Sequence, residues 1–423
     1  VKNVEGERVL LVQRRLSRER SYLHELRELA LAAGYIPIAE VEQIRVQDAA
    51  YQIGYGKALE LSELIEKLGV DKVIFFNELK PVQAHNLSKL FKVDVIDRFQ
   101  LILEIFAKRA GDKEAKLQIE LARLRRELSF AKEYVHVAKR EELPGFMGGG
   151  EYDATVYERH IRERISKINK ELKRIRKRKM GAHKRRTRSG AYLISITGYT
   201  GAGKTSLFNV LTGENGYIDG KPFATLSTTI RRTRFNGVPV IISDTIGFID
   251  SLPPLLIESF YTTLEEINNS DILIIVLDAS EELDEISRKV QACLEVLETI
   301  GAGSKPMVVA LNKIDLLSLD DVELRIEKLS WLNKPLIPIS AKKVWNIDLL
   351  VKTILNNLPG YVEIEIALKR SDNLGSLVDM LSEGCKIVRI DNNRLLVGAK
   401  REWLASKMKR ISKLGGIIVD RKV

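Results

Sequence analysis

At 423 residues, the chain exceeds what one hydrophobic core usually serves, and roughly two to four domains are expected. Hydrophobic residues at 45% and charged residues at 30% describe a soluble globular protein. No apolar run approaches the roughly 18 residues of a membrane span, so a membrane partner is not expected. The N-terminal segment, with Glu5 and Glu7, lacks a signal-peptide layout, and a cytoplasmic monomer is expected.

The net charge of +11 is concentrated. Between Glu158 and Arg188 stand 15 Lys and Arg against 3 acidic residues, a local balance of +12, which leaves the other 392 residues near −1. The two cysteines, Cys293 and Cys385, have no CxxC or histidine company and read as buried reduced thiols rather than a disulfide or metal site.

In chain order, residues 1–97 alternate apolar strand-like runs (Arg8 to Val12, Tyr35 to Ile44, Lys72 to Phe76, Val93 to Ile96) with amphipathic helical stretches. That order predicts an N-terminal parallel α/β domain. Within it, the stretch from Gln52 to Lys57 carries Gly54 and Gly56. It reads as a structural turn, with a second nucleotide site as the alternative.

From residue 98 to 180 the pattern is one of long helices. Leu117, Leu121, Leu124, Leu128, Ala131, Val135 and Ala138 form one apolar stripe, and Ile161, Ile165, Ile168, Leu172 and Ile175 form another. Pro144, Gly145 and Gly148 to Gly150 interrupt them, which predicts an antiparallel helical hairpin with a glycine-rich tip. The second stripe runs into a basic stretch, Lys173 to Lys179 and Lys184 to Arg188, with 181–190 expected as a basic linker. Such a cluster is either a solvated face or the footprint of phosphate-backbone contacts.

Residues 191–358 carry the chemistry. Gly198-Tyr199-Thr200-Gly201-Ala202-Gly203-Lys204-Thr205 matches G-x-x-x-x-G-K-[ST] between an apolar strand and a helix opening at Ser206. There backbone N–H groups face a polyanion. Lys204 is expected to reach the β- and γ-phosphates and Thr205 to complete a Mg²⁺ shell. The segment Phe223-Ala224-Thr225-Leu226-Ser227 is expected to close over the metal, through Thr225 with Thr228 and Thr229 as alternatives. Asn236-Gly237 predicts a hairpin. Asp244-Thr245-Ile246-Gly247 follows a strand and places a metal-holding carboxylate and a γ-phosphate-sensing N–H. Asn312-Lys313-Ile314-Asp315 offers a carboxylate to guanine N1–H and N2–H₂, and Ser340-Ala341-Lys342 a backbone N–H to its oxygen, which favours GTP over ATP. The catalytic set is Lys204, Gly247 and Thr225, and the metal set Thr205, Thr225 and Asp244.

The order of these motifs resembles the HflX family of translation-factor-class GTPases. The resemblance rests on GYTGAGKTSLFN from 198, FATL from 223, DTIGFI from 244, LPPLLIESFYTTLEE from 252, NKID from 312 and the stretch from Val95 to Ala122. It covers about residues 8–358 and implies a GTPase with GTP and GDP as ligands. It also implies binding to the large ribosomal subunit and its RNA, with action in translation, ribosome recycling, rescue or assembly. Two departures stand out: Gly201 where the family commonly has asparagine, and Gly148 to Glu151 alone where the family carries a longer arginine-containing loop. Phe248 occupies the position where Ras-like GTPases place a water-orienting glutamine, which predicts slow, partner-stimulated hydrolysis. The competing readings are a GTPase switch with a protein effector and an ATP-driven RNA remodelling enzyme.

After Pro359-Gly360, residues 361–423 read as β-α-β-β-α-β, a small split-βαβ α+β domain without a catalytic constellation. Trp403 and Trp345 are expected in cores or partner contacts. The fold class is thus multi-domain α/β, joining the N-terminal parallel domain with its helical hairpin, a P-loop domain and this C-terminal domain.

Overall fold

The computed structural model describes residues 6–138, 150–214, 223, 229–249, 253–368, 373–391 and 393–422. The hairpin tip at Pro144 to Gly149, Ala224 to Thr228 in the expected metal-closing segment, and Asn392 lie outside the described residues. The chain forms two compact units. The first holds Val1–Leu172, Lys221–Leu226 and Pro253–Phe260; the second holds Lys173–Gly220, Ser227–Leu252 and Tyr261–Val423.

The first unit begins β1 (Arg8–Arg15), α1 (Leu23–Ala33), β2 (Ile36–Ile44), α2 (Tyr55–Leu68), β3 (Lys72–Phe75), α3 (Pro81–Phe91), β4 (Asp94–Asp97) and α4 (Arg98–Arg109). Its four strands are parallel in the order β2-β1-β3-β4, the sheet that alternating apolar runs and helices predict. Leu10, Val12, Val73 and Phe75 are buried against Leu61 and Ile65 of α2 and Leu87 of α3. Gln52 to Gly54 turn into α2, whose first residues are Tyr55 to Lys57, with Gln52 bonded by Gln83 and Gly54 at the N-cap.

Asp97 ends β4 and starts α4. Its fully buried carboxylate accepts the backbone N–H groups of Gln100 at 3.1 Å and Leu79 at 3.0 Å and pairs with both terminal nitrogens of Arg126. Four N–H donors from three residues around one buried carboxylate offset its lost hydration. Arg126 belongs to α5 (Lys113–Ala138), the partner of α6 (Gly150–Arg188). Lys113 with Glu171, Glu120 with Arg164 and Glu127 with Tyr157 run in opposite directions along the two helices, so the hairpin is antiparallel. Leu117, Leu121 and Leu124 of one stripe and Ile161, Ile168 and Leu172 of the other are buried. Residues 181–188, expected as linker, continue α6 as helix.

The second unit is built on β5 (Tyr192–Gly198), α7 (Lys204–Thr212), β6 (Thr229–Phe235) and β7 (Val238–Asp244). The short α8 (Pro254–Ser259) belongs to the first unit, where Arg125 pairs with Glu258 at 2.9 Å. The second unit continues with α9 (Tyr261–Asn268), β8 (Ile272–Asp278), α10 (Leu283–Thr299), β9 (Met307–Asn312), α11 (Leu319–Lys328), β10 (Leu336–Pro338) and α12 (Ile347–Asn356). The sheet order is β10-β9-β8-β5-β7-β6, with only β6 antiparallel, joined to β7 through Asn236-Gly237. β5 lies between β7 and β8, so the chain order reverses there. The carboxyl end of β5 is therefore the crevice where ligands of such sheets bind.

The same unit closes with β11 (Tyr361–Leu368), α13 (Leu374–Ser382), β12 (Cys385–Asp391), β13 (Arg394–Lys400), α14 (Arg401–Lys413) and β14 (Gly416–Lys422). They form an antiparallel sheet ordered β12-β13-β11-β14, the split-βαβ arrangement read from the sequence. Trp403 is buried in this core and donates its indole N–H to Arg188 O at 3.0 Å, whereas Trp345 is half exposed. Cys293 and Cys385 are both free and buried. Among the described residues no helix is long and apolar enough to cross a membrane.

Candidate functional site

The P-loop leaves the fully buried strand β5 and turns into α7 through Gly198, Gly201 and Gly203, all at positive φ. At Gly203, φ is +94° and a Cβ would lie 2.3 Å from Asn312 Nδ2, so only glycine fits both the backbone and the neighbour. At Gly201, φ is +79° and a Cβ would meet nothing within 4 Å. The loop there borders open space rather than a packed wall.

Lys204 heads α7 and is buried, with its ammonium donating to Tyr199 O at 2.8 Å. Burial lowers its pKa from 10.5 to about 8, partly opposed by Asp244. An ammonium with one neutral acceptor and little water is short of negative charge, which a phosphate would supply. The Tyr199 ring carries the cationic ends of Lys289 at 4.7 Å and Arg288 at 5.7 Å. Sequence reasoning missed both of these, since α10 is some 90 residues downstream and its cations read as an ordinary solvated face.

Thr205 Oγ1 donates to Asp244 Oδ2 at 2.9 Å, and Asp244 is buried at the end of β7. An oxygen-only pair of one hydroxyl and one carboxylate suits a hard Mg²⁺ that takes its other ligands from phosphates and water. Among the described residues no cluster of three or more His, Cys, Asp or Glu could hold a metal by itself. Thr245 donates its hydroxyl to Ile196 O at 2.7 Å and Ile246 is buried, which fixes the strand end that aims Gly247. A Cβ on Gly247 would lie 2.8 Å from Lys204 Nζ, so this backbone passes directly over the lysine head.

Phe248 is fully buried and its backbone bridges the P-loop. Its N–H donates to Gly198 O at 3.0 Å, and its carbonyl accepts from Thr200 N at 2.8 Å. A hydrocarbon ring in this place offers no hydrogen bond to water. Of the three candidate threonines only Thr229 is described; it starts β6, in register with Asp244. Phe223 is placed in the first unit, buried at φ +57°, with its ring edge-on to Phe106, which also meets Phe260 edge-on. Ala224, Thr225, Leu226 and Ser227 lie outside the described residues.

The base-facing side is assembled by Asn312, whose amide donates to Ala202 O at 2.8 Å and accepts from Ala341 N at 2.9 Å. One buried side chain thus ties the P-loop, the end of β9 and the Ser340 to Lys342 turn together. Lys313, at φ +69°, pairs with Asp278, which ends β8 opposite Asn312. Ile314 N donates to Ile339 O at 3.3 Å. Asp315 Oδ1 accepts from Ser340 Oγ at 2.6 Å, which orients the carboxylate before any base arrives. Gly203, Ser206, Asn312, Asp315, Ala341 and Lys342 line a cleft of about 840 Å³, a volume ample for a nucleotide. Asn209 and Val210 of α7, and Gly213 and Glu214 just after it, also line it; no motif marks them in the sequence.

A sheet that reverses order at β5, a P-loop at that reversal, a carboxylate paired to its threonine and an Asn-Lys-x-Asp turn across one cleft define a P-loop GTPase. Three family models match the chain: "GTP-binding GTPase N-terminal" over residues 20–107, "GTP-binding GTPase Middle Region" over 109–186 and "50S ribosome-binding GTPase" over 193–313. The chain belongs to the HflX family of GTPases: GTPase HflX of Thermofilum pendens is 47% identical over 420 residues, which are 98% of this chain and 99% of that protein. GTPase HflX of Escherichia coli is 34% identical over 363 residues, 84% of each chain. A solved structure described as the complex of SsGBP and GDP is 31% identical, with a TM-score of 0.51, over 83% of this chain and 98% of its own.

Proposed function

We propose that the chain is a guanine-nucleotide switch that associates with the large ribosomal subunit and acts in translation, through ribosome recycling, rescue or assembly. The observation that carries the guanine part is Asp315, aimed by Ser340 into the cleft that the P-loop and Asn312 share. The ribosomal part is supported by the "50S ribosome-binding GTPase" model and by the +12 segment at residues 158–188, suited to ribosomal RNA phosphates. GDP in the SsGBP structure supports GTP and GDP as ligands here. A cytoplasmic monomer is the form we expect.

In this reading the amides of Gly201 to Thr205 and the Lys204 ammonium bind the phosphates, and Ser206 extends the cradle along α7. Thr205, Asp244 and the switch threonine, Thr225 by preference, would hold Mg²⁺, which when bound neutralises charge on the β- and γ-phosphate oxygens. Lys204 leaves Tyr199 O to meet the terminal phosphate. Gly247 N–H hydrogen-bonds the same group once the Phe248 bridge loosens. Phe248 cannot orient the attacking water, so intrinsic hydrolysis is slow and a partner supplies or orders the missing group.

Single-turnover GTP hydrolysis with and without saturating large subunits tests this: stimulation is expected, and an unaltered rate would count against it. For a protein effector, association should be insensitive to salt, whereas RNA contact weakens steeply as salt rises in co-sedimentation.

A further inference from the structure

The basic end of α6, where it lies in the second unit, has two different faces. Successive residues advance by about 100° around a helix. Lys173, Arg174, Lys177 and Arg178 therefore share one side, and Arg176 and Lys179 lie on another. The first four side chains are exposed, and among the described residues none of them makes an ion pair. Arg176 pairs with Glu265 and Lys179 lies 3.6 Å from Glu266, both on α9. Arg176, Lys179, Glu265 and Glu266 also line a small cavity of about 40 Å³ beside Ser195 and Ser243, on the strands that end in the P-loop and at Asp244. α9 is the helix that follows the Gly247 loop and α8 in the chain.

We propose that the outer face takes the phosphate backbone of an RNA helix, and that the inner ion pairs form a latch through which RNA occupancy reaches the hydrolytic site. The proposal rests on the RNA reading of the basic segment and assigns its residues two separate tasks. Four cations within six residues fit a polyanion; the apolar side chains of this stretch are Ile175, partly buried, and Met180, 47% exposed beside Lys173 and Lys177, which is a single side chain and not an apolar face. A membrane-lying helix would need an apolar face beside the charges, and a protein partner would need apolar or aromatic anchors. Arg176 and Lys179 are also partly solvent-accessible, at 43% and 34% of their side chains. A phosphate that settles beside them competes with Glu265 and Glu266 for their charge. Once released, α9 no longer has its tie to α6, and the segment carrying Gly247 and Phe248 is freer to reorganise around the γ-phosphate.

The test uses the full chain, a short RNA duplex and large ribosomal subunits. Neutralising the outer face (K173Q/R174Q/K177Q/R178Q) should weaken RNA binding and reduce the slope of log affinity against log salt by about four, one per lost phosphate contact. Glu265→Gln with Glu266→Gln should retain RNA binding, raise the RNA-free hydrolysis rate about two- to thirtyfold and shrink the stimulation by subunits accordingly. A rise in rate is a response that simple loss of folding cannot produce. Hydrolysis by E265Q/E266Q that matches the parent chain in both states would overturn the latch while leaving RNA binding in place. An outer-face variant with an unchanged salt slope would overturn the assignment of those four residues. No salt-dependent RNA binding by the parent chain, or binding only to anionic lipid vesicles, would overturn the RNA reading itself.

Discussion

Raising the pH from 7 to 8.5 should weaken GTP binding about fourfold. Lys204 is buried, and loss of hydration brings its pKa from 10.5 to about 8. A triphosphate beside the ammonium restores negative charge and holds the proton through this range. Above pH 8 the free protein has lost a proton that the complex must regain, and affinity falls by one plus ten to the power of pH minus pKa. That factor is about 1.1 at pH 7 and about 4 at pH 8.5. Calorimetry in two buffers of different ionisation enthalpy reads both the affinity and the proton taken up. Equal affinities at the two pH values, with no proton uptake, would refute Lys204 as the desolvated partner of the phosphates. The same shift has a consequence for folding. The unfolded lysine keeps its proton to about pH 10.5 and the folded one only to about 8, so the nucleotide-free protein carries a penalty of about 3 kcal/mol below pH 8. That penalty is relieved as pH rises from about 8 to 10.5, and the site is less stable empty than filled.

Two substitutions test the scaffold. Gly203→Ala places a Cβ against Asn312 at a left-handed backbone position; it should cost about 1–2 kcal/mol in backbone strain alone and lower GTP affinity at least about tenfold, whereas near-parental affinity by calorimetry would show that Asn312 is not the strut described. Arg126→Met leaves the Asp97 carboxylate buried with its two backbone donors and no cation, which should destabilise the first unit by about 3 kcal/mol in urea unfolding; adding Asp97→Asn removes the unpaired charge but turns an NH2 toward one of those backbone donors, so it should recover only part of the loss, and no recovery at all would point to packing of the Arg126 stem over Phe99 instead.

What was legible in the sequence was local. The P-loop declares itself because glycine spacing, lysine and threonine must all fall within eight residues, and Asn236-Gly237 gives the β6 to β7 hairpin by turn chemistry alone. The C-terminal segment is legible as β-α-β-β-α-β from the order of its apolar and helical runs, and the sheet it forms is that split-βαβ arrangement. Contacts between distant residues were not legible. Asn312 bonds Ala202 across 110 positions and Ala341 across 29, and nothing in the motif itself says that its amide is a strut. Phe248 was read only for what its ring lacks, while its backbone closes the P-loop. The expected basic linker at 181–190 is helix through residue 188. Lysine and arginine are good helix formers, and α6 carries on through them. The latch was hidden for the same reason, since Arg176 and Lys179 look like their four exposed neighbours until the acidic pair on α9 is placed beside them.

The central claim is that the cleft selects guanine through Asp315. Titration calorimetry with Mg²⁺ should show GTP binding at least about a hundredfold tighter than ATP, since a mismatched base leaves a polar carboxylate unpaired. Asp315→Asn should move the preference to xanthosine triphosphate, because the amide offers a donor where the carboxylate accepted. Equal affinity for GTP and ATP, or an Asp315→Asn chain that still prefers guanine, would contradict the account.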